Sequence, residues 1–278
     1  MSKKKKVIIS VISILLVIVL GFVGVLLIIF KTPPRVISLS EKGLPTDSVN
    51  LTAHRGFSAV APENTSAAFV EAGKAGFFAA ECDIQLSKDN VWVVNHNKSI
   101  DGMTDGKGKI NEMTYKEISQ YSVDGGHYSE KYTGQKLITL DDYLAICDEY
   151  KIVPQIEIKS DNHECLDDIL TALDKYEGMR ETAIIISFDE VILEKLRNLD
   201  ENIELWYLTH EITEEQIALA KMNNYAIGFN CKKYDETMIK KAQDENIILA
   251  TWTVDSLKVY EELYNLGIRN FTTNRFVK

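Results

Sequence analysis

Three short clusters of charged residues lie in or just after apolar, β-branched runs of this sequence. They are His54-Arg55-Gly56 leading into Pro62-Glu63-Asn64-Thr65, Glu81-Cys82-Asp83 followed by His96, and Glu157-Ile158-Lys159. Side chains two residues apart on a strand project to the same face, so Glu81 and Asp83 are expected to point together into the space that the sheet encloses. Ionised groups buried there are costly unless a cation or a charged ligand neutralises them. The pattern therefore predicts a site for a divalent metal and a phosphate.

The predicted metal ligands are all carboxylates. Glu81, Asp83 and Glu157 offer hard oxygen donors from adjacent strands, which suit Ca²⁺ or Mg²⁺ and do not suit a thiolate zinc site. The sequence does not choose between the two ions. It lacks the His-x-His pair that a barrel-type zinc hydrolase would need. The alternative to a metal is a buried ion-pair network of these carboxylates with Arg55 and Lys159.

The elements that must position these groups alternate between strands and helices. Strand-like runs recur at 51–54, 78–86 with 91–96, 153–158, 183–188, 203–208, 226–229, 247–254 and 270–273. Amphipathic helical stretches lie between them at 65–75, 140–150, 166–176, 191–199, 214–222, 236–245 and 256–266. With 78–96 counted as one position, this is eight strands, and strict alternation of this kind predicts a parallel (β/α)₈ TIM barrel over residues 51–278. An open doubly wound sheet is the alternative, but no Gly-x-Gly-x-x-Gly or P-loop motif supports it.

Helix start and stop residues agree with this division. Asp189, Thr213, Asp235 and Asp255 stand where N-caps are expected, and a glycine follows two of the predicted helix ends. The alternation is interrupted at residues 97–138 by a glycine-rich, polar stretch. It leaves the carboxyl side of the second strand, which is the active face of such barrels, so we expect an insertion that acts as a lid or shapes the substrate site.

The N-terminus predicts a membrane anchor. Residues 1–6 include a block of four lysines, and residues 7–30 run for 24 residues without a charge, long enough to span a bilayer. A cleaved signal peptide is the alternative, but it would have a shorter apolar region and a small-residue cleavage site. The lysine block favours a cytoplasmic N-terminus, with residues 31–50 as a linker and the barrel outside the cytoplasm. We therefore expect a single-pass protein of the cell membrane.

The net charge of the protein restricts the classes of partner that it attracts. The 278-residue chain has a net charge of −10, and removing the lysine block leaves an acidic remainder, which opposes general attraction to nucleic acid.

The four cysteines of the chain form no Cys-x-x-Cys pair and are expected to be buried thiols, with Cys82 facing the helix layer.

The motifs His-Arg-Gly, Pro-Glu-Asn-Thr, Glu-x-Asp, the following histidine and Glu-Ile-Lys appear in the order and spacing of the glycerophosphodiester phosphodiesterase family. The resemblance covers residues 51–273, with supporting matches at Thr139-Leu140, Ser187-Phe188 and 251–254. It implies a metal-dependent barrel that cleaves glycerophosphodiesters to glycerol 3-phosphate and an alcohol. The metal would be Ca²⁺ or Mg²⁺, and the substrate a small or lipid-derived diester.

Carried onto this sequence, the resemblance assigns a role to each group. His54 and His96 would be the acid and base, with the base role given to His54 and the reverse left open. The metal ligands would be Glu81, Asp83 and Glu157, with Arg55 and Lys159 on the phosphate and Glu63 close enough to complete the site. Trp252 would pack against the glycerol or fill the barrel, and His210 follows the fifth strand on the active face, where it could line the substrate site.

Two residues depart from the family pattern. Asn97 stands where an aspartate commonly follows the second histidine, and Asn274 stands where the last strand usually delivers an aspartate. A histidine without its carboxylate neighbour would be less basic or less firmly oriented.

Two other functions stay open. One is a phosphatidylinositol-type phospholipase C on a similar barrel, and the other is a catalytically weak scaffold that binds the cell envelope.

Overall fold

Eight parallel strands close into a barrel, as the sequence predicts. The structure, a computed structural model, describes residues 35–159 and 162–278. The barrel strands are β2 (Asn50–Ala53), β3 (Ala79–Leu86), β5 (Val153–Ile158), β6 (Ile184–Ser187), β7 (Glu204–Thr209), β8 (Ala226–Asn230), β9 (Leu249–Trp252) and β10 (Asn270–Thr273). Each strand pairs in parallel with its neighbours, and β2 closes the ring by pairing with both β10 and β3.

Helices follow the strands and cover the outside of the barrel. They are α1 (Ser66–Lys74), α2 (Tyr115–Ile118), α3 (Leu140–Tyr150), α4 (Leu166–Leu173), α5 (Met179–Thr182), α6 (Glu190–Leu199), α7 (Glu214–Asn223), α8 (Glu236–Asp244) and α9 (Leu257–Asn265). Asp189, Thr213 and Asp235 cap their helices as predicted. The prediction for Asp255 is wrong, because Ser256 is the N-cap of α9 and forms no side-chain cap. The Asp255 carboxylate instead hydrogen-bonds to β10 and to the Asn274 that follows it.

Two apolar layers hold the barrel together. The larger core lies between strands and helices and includes Cys82, whose outward orientation the sequence predicts. A smaller cluster that includes Ile186, Trp206 and Leu208 fills the inside of the barrel. Because side chains alternate along a strand, each apolar run supplies both layers at once. The interior layer supports the polar residues at the carboxyl ends of the strands.

The segment between β3 and α3 forms a small substructure. Strand β4 (Trp92–Val94) turns back and pairs antiparallel with the end of β3. The insertion that follows, 97–138, contains a 3₁₀ turn at Ile110–Glu112 and helix α2. Apolar residues including Ile100, Ile118 and Leu137 form a core of its own. A lid role for this insertion stays a prediction, but the segment is an organised element and not a loose loop.

The described part of the predicted linker is folded against the barrel. Strand β1 (Ile37–Ser38) pairs in parallel with β11 (Phe276–Val277), and the Leu39 side chain is fully buried. The Tyr260 hydroxyl donates a hydrogen bond to the Pro45 carbonyl oxygen over 2.6 Å. The linker prediction is therefore wrong for residues 37–50, because apolar side chains there complete the outer core. The predicted anchor, 7–30, lies outside the described residues, and no helix within them is long and apolar enough to cross a membrane.

Candidate active site

The loop after β2 turns sharply to bring His54 and Arg55 into the barrel mouth. Arg55 and Gly56 both adopt left-handed backbone angles, with φ of 57° and 73°. A Cβ at position 56 would lie 2.7 Å from the carbonyl carbon and the Cβ of Ala68 in α1. Only glycine fits both the backbone angle and this close approach. The glycine of the His-Arg-Gly motif therefore lets the loop pack on α1.

The three predicted metal ligands lie side by side inside the barrel. Strands β3 and β5 are paired so that Asp83 stands opposite Glu157 and Glu81 stands opposite Gln155. One ligand oxygen each from Glu81, Asp83 and Glu157 lie within 4.8 Å of one another. Glu81 and Asp83 are 2% and 1% exposed, so these carboxylates are almost completely removed from water.

Two cations contact this carboxylate cluster. Lys159 Nζ lies 2.6 Å from Asp83 Oδ1 and 2.5 Å from Glu157 Oε1. Arg55 Nε lies 3.4 Å from Asp83 Oδ2, and Arg55 Nη1 donates to Glu63 Oε1 over 2.8 Å. These contacts are the ion-pair network that the sequence offers as an alternative to a metal. They neutralise the cluster only in part.

The protonation of the three carboxyl groups reflects this shortage of positive charge. Burial and the charges of Asp83 and Glu157 raise the pKa of Glu81 well above its usual range. Burial and Asp83 raise the pKa of Glu157 to about 7. Burial would also raise the pKa of Asp83, but Lys159 and Arg55 outweigh it and hold that pKa well below its usual range. A further cation would relieve the repulsion.

Glu81 shows that the cluster fits a metal. Its Oε2 accepts a hydrogen bond of 2.7 Å from the backbone N–H of Arg55. Its Oε1 is buried and has no hydrogen-bond partner among the described residues. A buried carboxylate oxygen without a partner is costly, and a divalent cation would provide one. Three hard oxygen donors are the ligand type that Ca²⁺ and Mg²⁺ bind.

Asn64 holds Asp83 in place, a role that sequence reasoning did not assign. Asn64 Nδ2 donates to Asp83 Oδ2 over 2.7 Å, and the Asp83 backbone N–H donates to Asn64 Oδ1 over 3.2 Å. Asn64 is buried and left-handed, with φ of 55°. The Pro-Glu-Asn-Thr motif was the available signal, since asparagine tolerates this backbone angle and offers both a donor and an acceptor.

The two histidines are held by the two asparagines that depart from the family pattern. His54 Nδ1 lies 2.8 Å from Asn274 Oδ1, and His96 Nδ1 lies 3.0 Å from Asn97 Oδ1. Burial, reinforced by Arg55, lowers the pKa of His54, and burial lowers the pKa of His96. Both imidazoles are therefore mainly neutral near pH 7.

A cavity of about 240 Å³ brings these groups together at the carboxyl ends of the strands. Seven of the nine predicted site residues line it: His54, Arg55, Glu81, His96, Glu157, Lys159 and Trp252. The other two, Asp83 and Glu63, do not line it but contact Arg55. A larger groove of about 720 Å³ lies beside the insertion, but none of the predicted site residues lines it. Cavity size alone therefore does not locate the chemistry.

Aromatic rings form part of the cavity wall. The ring of Phe188 lies 5.4 Å from those of His210 and Trp252, measured between centroids. Trp252 Nε1 donates to the Gly228 carbonyl oxygen over 3.1 Å, which fixes the indole. The sequence analysis names Trp252 and His210 as candidates for the substrate site, whereas it names Phe188 only as part of a motif. This wall offers an apolar surface next to a strongly polar one.

Comparisons with known proteins find relatives of similar sequence. A glycerophosphodiester phosphodiesterase of Caldanaerobacter subterraneus is 27% identical over 225 residues, which cover 80% of this chain and 92% of that protein. Glycerophosphodiester phosphodiesterase 1 of Bos taurus is 28% identical over 173 residues, covering 60% of this chain and 52% of that protein. The chain thus matches about half the length of this curated mammalian relative.

Solved structures share the fold. A phosphodiesterase of Oleispira antarctica, in complex with the product sn-glycerol-3-phosphate, has a TM-score of 0.75 at 23% identity and covers 86% of this chain and 96% of that chain. The family model for the glycerophosphoryl diester phosphodiesterase family matches residues 54–278. Because that match spans most of the sequence and contains every predicted site residue, this chain belongs to the glycerophosphoryl diester phosphodiesterase family.

Proposed function

We propose that this chain hydrolyses glycerophosphodiesters to glycerol 3-phosphate and an alcohol in a reaction that requires Ca²⁺ or Mg²⁺. The observation that carries the proposal is one cavity lined by two histidines and two cations beside three carboxylates whose ligand oxygens lie within 4.8 Å of one another. The family match and relatives named glycerophosphodiester phosphodiesterase support the same reaction.

Arg55 and Lys159 hold the phosphodiester. Burial alone would lower the pKa of Lys159, but Asp83 and Glu157 outweigh it and raise that pKa, so the ammonium stays charged. The metal held by Glu81, Asp83 and Glu157 supplies, when bound, positive charge that stabilises the phosphoryl oxygens in the transition state. Glu63 keeps the Arg55 guanidinium turned toward the site.

The histidines move the two protons of the reaction. A neutral His54 with its proton on Nδ1 has a free lone pair on Nε2, which accepts a proton from the attacking water or from a neighbouring hydroxyl of the substrate. A new P–O bond forms as that proton leaves, and where the substrate hydroxyl is the nucleophile, water then opens the resulting cyclic diester to glycerol 3-phosphate. His96 gives a proton to the alcohol oxygen as the old P–O bond breaks. Burial lowers the pKa of His96 overall and the charge of Asp83 opposes that shift only in part, so the protonated form that this step uses is the less populated one near pH 7.

The aromatic wall favours a substrate with an apolar face next to its phosphate. The carbon backbone of a glycerol or a head group can pack on Trp252 and Phe188 while the phosphate faces the cations. Deacylated phospholipids, lysolipids and glycerophosphate polymers all offer this combination. The 240 Å³ cavity favours binding of one end of such a molecule.

The proposal includes the place of action. The lysine block and the uncharged residues 7–30 favour an uncleaved anchor with a cytoplasmic N-terminus and the barrel outside. The test is protease treatment of intact cells that carry the full chain with an epitope tag at its C-terminus. We expect loss of the tag without lysis, and a tag protected until lysis would contradict this orientation.

Release of glycerol 3-phosphate tests the activity. The full-length chain is incubated with glycerophosphocholine, first with EDTA and then with a series of added metals. We expect turnover that EDTA abolishes and that Ca²⁺ or Mg²⁺ restores. Inositol phosphate release from phosphatidylinositol, with none from glycerophosphocholine, would indicate a phospholipase C instead. Binding of the diester without turnover of either substrate would indicate a scaffold.

A further inference from the structure

We infer that Asp255 is a positioning residue for His54 and acts through the side-chain amide of Asn274. The inference rests on the proposed function, in which His54 accepts a proton. It concerns a residue outside the cavity lining, which reaches His54 only through Asn274.

A continuous chain of hydrogen bonds connects the three residues. His54 Nδ1 lies 2.8 Å from Asn274 Oδ1, and Asn274 Nδ2 donates to Asp255 Oδ2 over 2.6 Å. The Ser58 hydroxyl donates a second hydrogen bond to Asn274 Oδ1 over 3.0 Å. Asp255 Oδ1 accepts from the Asn274 backbone N–H and from the Thr273 hydroxyl, over 2.9 and 3.0 Å. Both carboxylate oxygens of Asp255 therefore bind the end of β10.

The Asp255 carboxylate fixes which way the Asn274 amide points. A carboxylate accepts hydrogen bonds and does not donate them, so the amide nitrogen must face Asp255. The amide oxygen then faces His54 and accepts from its Nδ1–H. Turning the amide over would set its oxygen against the carboxylate, which is repulsive. The charge of Asp255 thereby sets the tautomer of His54, with Nε2 left free to accept a proton.

Helix α9 gives an independent sign of this role. Asp189 and Asp235 are the N-caps of two other helices of the barrel, and each accepts a hydrogen bond from the first turn of its helix, whereas Asp255 lies one residue before the N-cap Ser256. Asp255 precedes α9 but forms no cap, and the helix begins without a side-chain cap. The carboxylate is used to hold Asn274 instead.

Exchanging the amide and the carboxylate tests the inference. In Asp255→Asn, the new side-chain amide keeps its oxygen on the donors at the end of β10, so its nitrogen faces Asn274. The Asn274 amide must then turn over so that its oxygen faces that nitrogen. The nitrogen of Asn274 consequently faces His54. The proton of His54 moves to Nε2, and we expect kcat to fall by about 10²-fold with KM little changed. The double variant Asp255→Asn/Asn274→Asp restores the donor and acceptor order, so we expect it to recover most of kcat.

Two measurements make the result decisive. Spectra of the ¹⁵N-labelled histidines should show Nδ1 protonation of neutral His54 in the wild type and the double variant, and Nε2 protonation in Asp255→Asn. Asp235→Asn is the control, since it removes the carboxylate that caps another barrel helix and should keep full activity. Thermal unfolding of every variant shows whether a loss of rate follows from loss of folded protein.

The outcomes test this inference and the proposed function separately. Wild-type kcat and an unchanged tautomer in Asp255→Asn would overturn the inference, and so would a double variant as slow as the single one. Full activity in His54→Ala would instead contradict the role of His54 in the proposed function, while the ¹⁵N spectra still test the link to Asp255. If Asp255→Asn fails to fold, the double variant decides through the same spectra and rates.

Discussion

Lys159 Nζ lies 2.5 Å from Oε1 of Glu157, two residues earlier in the chain. The same ammonium lies 2.6 Å from Asp83 Oδ1, so one lysine contacts two of the three carboxylates that can hold a metal. A cation bound to the cluster and this ammonium therefore share the same negative charges. Lysine and metal are expected to weaken each other's hold on the carboxylates while both attract a phosphate.

Lys159→Met tests this relationship because it keeps the aliphatic stem and removes the charge. With the competing cation gone, we expect Ca²⁺ affinity to rise by about tenfold, since near charges of like sign repel. The kcat/KM for glycerophosphocholine should fall by about 10²-fold, because the phosphate loses a charged partner. Calorimetric metal titration and steady-state kinetics measure the two effects.

The matched control is Lys175→Met, which removes an exposed lysine paired with Asp141 on the outside of the barrel. It should leave both constants unchanged. A Lys159→Met variant that binds Ca²⁺ more weakly than the wild type would show that the lysine supports the metal site and does not compete with it.

Glu157 is expected to make metal binding depend on pH. Burial and Asp83 raise its pKa to about 7 in the metal-free protein. A proton and a metal compete for the same oxygens, so protonation of Glu157 should make affinity rise with pH by up to about tenfold per unit below pH 7, with Glu81 adding to the dependence. Ca²⁺ titrations at several values between about pH 5.5 and 8.5 measure this.

The same raised pKa has the opposite effect on the stability of the metal-free protein. The folded chain binds the Glu157 proton more tightly than the unfolded chain does, so this contribution to the free energy of unfolding is full below the ordinary pKa of 4.5 and is lost as pH rises through about 7. Glu157→Gln should remove the contribution of Glu157 to both dependences and leave that of Glu81, whose pKa is also raised. A Ca²⁺ affinity that does not change with pH in the wild type would contradict the assignment.

Much of the barrel and its site could be predicted from local sequence rules. Period-two alternation places Glu81 and Asp83 inside and Cys82 in the outer core, as the structure has them. Strand and helix periods, with their capping residues, set the order of elements. The carboxyl-end rule for parallel barrels then brings the loops after β2, β3 and β5 to one mouth.

What could not be predicted depends on contacts between distant segments. Ile37 and Ser38 pair with residues more than 230 positions away, and a two-residue strand is too short to show a period. The sequence favours Asp255 as the cap of α9, but Ser256 occupies the cap position and the Asp255 carboxylate binds Asn274 at the end of β10. A local sequence pattern does not indicate whether a carboxylate binds the first turn of the next helix or the end of a neighbouring strand.

The histidines should be needed for the reaction and not for the metal. His54→Ala and His96→Ala each remove one proton-transfer group, so we expect kcat to fall by about 10²-fold or more. Neither side chain belongs to the carboxylate cluster, so Ca²⁺ affinity should stay within about twofold of the wild type. Near-normal rates in both variants would disprove the assignment. His163→Ala, a partly exposed histidine paired with Asp189, is the control and should retain full activity.

Asn64 is expected to contribute both to the metal affinity and to the free energy of unfolding. Asn64→Ala removes both hydrogen bonds to Asp83 and leaves a left-handed residue without the side chain that tolerates it. We expect the free energy of unfolding to fall by about 2 kcal/mol, because a buried carboxylate and a buried N–H lose partners. Ca²⁺ affinity should fall by about tenfold or more as Asp83 loses its orientation.

Asn90→Ala separates the loss of hydrogen bonds from backbone strain. Asn90 is also left-handed, with φ of 61°, but its side chain is exposed and lies outside the carboxylate cluster. Urea unfolding in EDTA, together with Ca²⁺ titration, should show a smaller loss of stability in Asn90→Ala and no change in affinity. Equal losses of stability in the two variants, with wild-type Ca²⁺ affinity in both, would mean that Asn64 serves only the turn and that Asp83 is oriented by Arg55 and Lys159 alone.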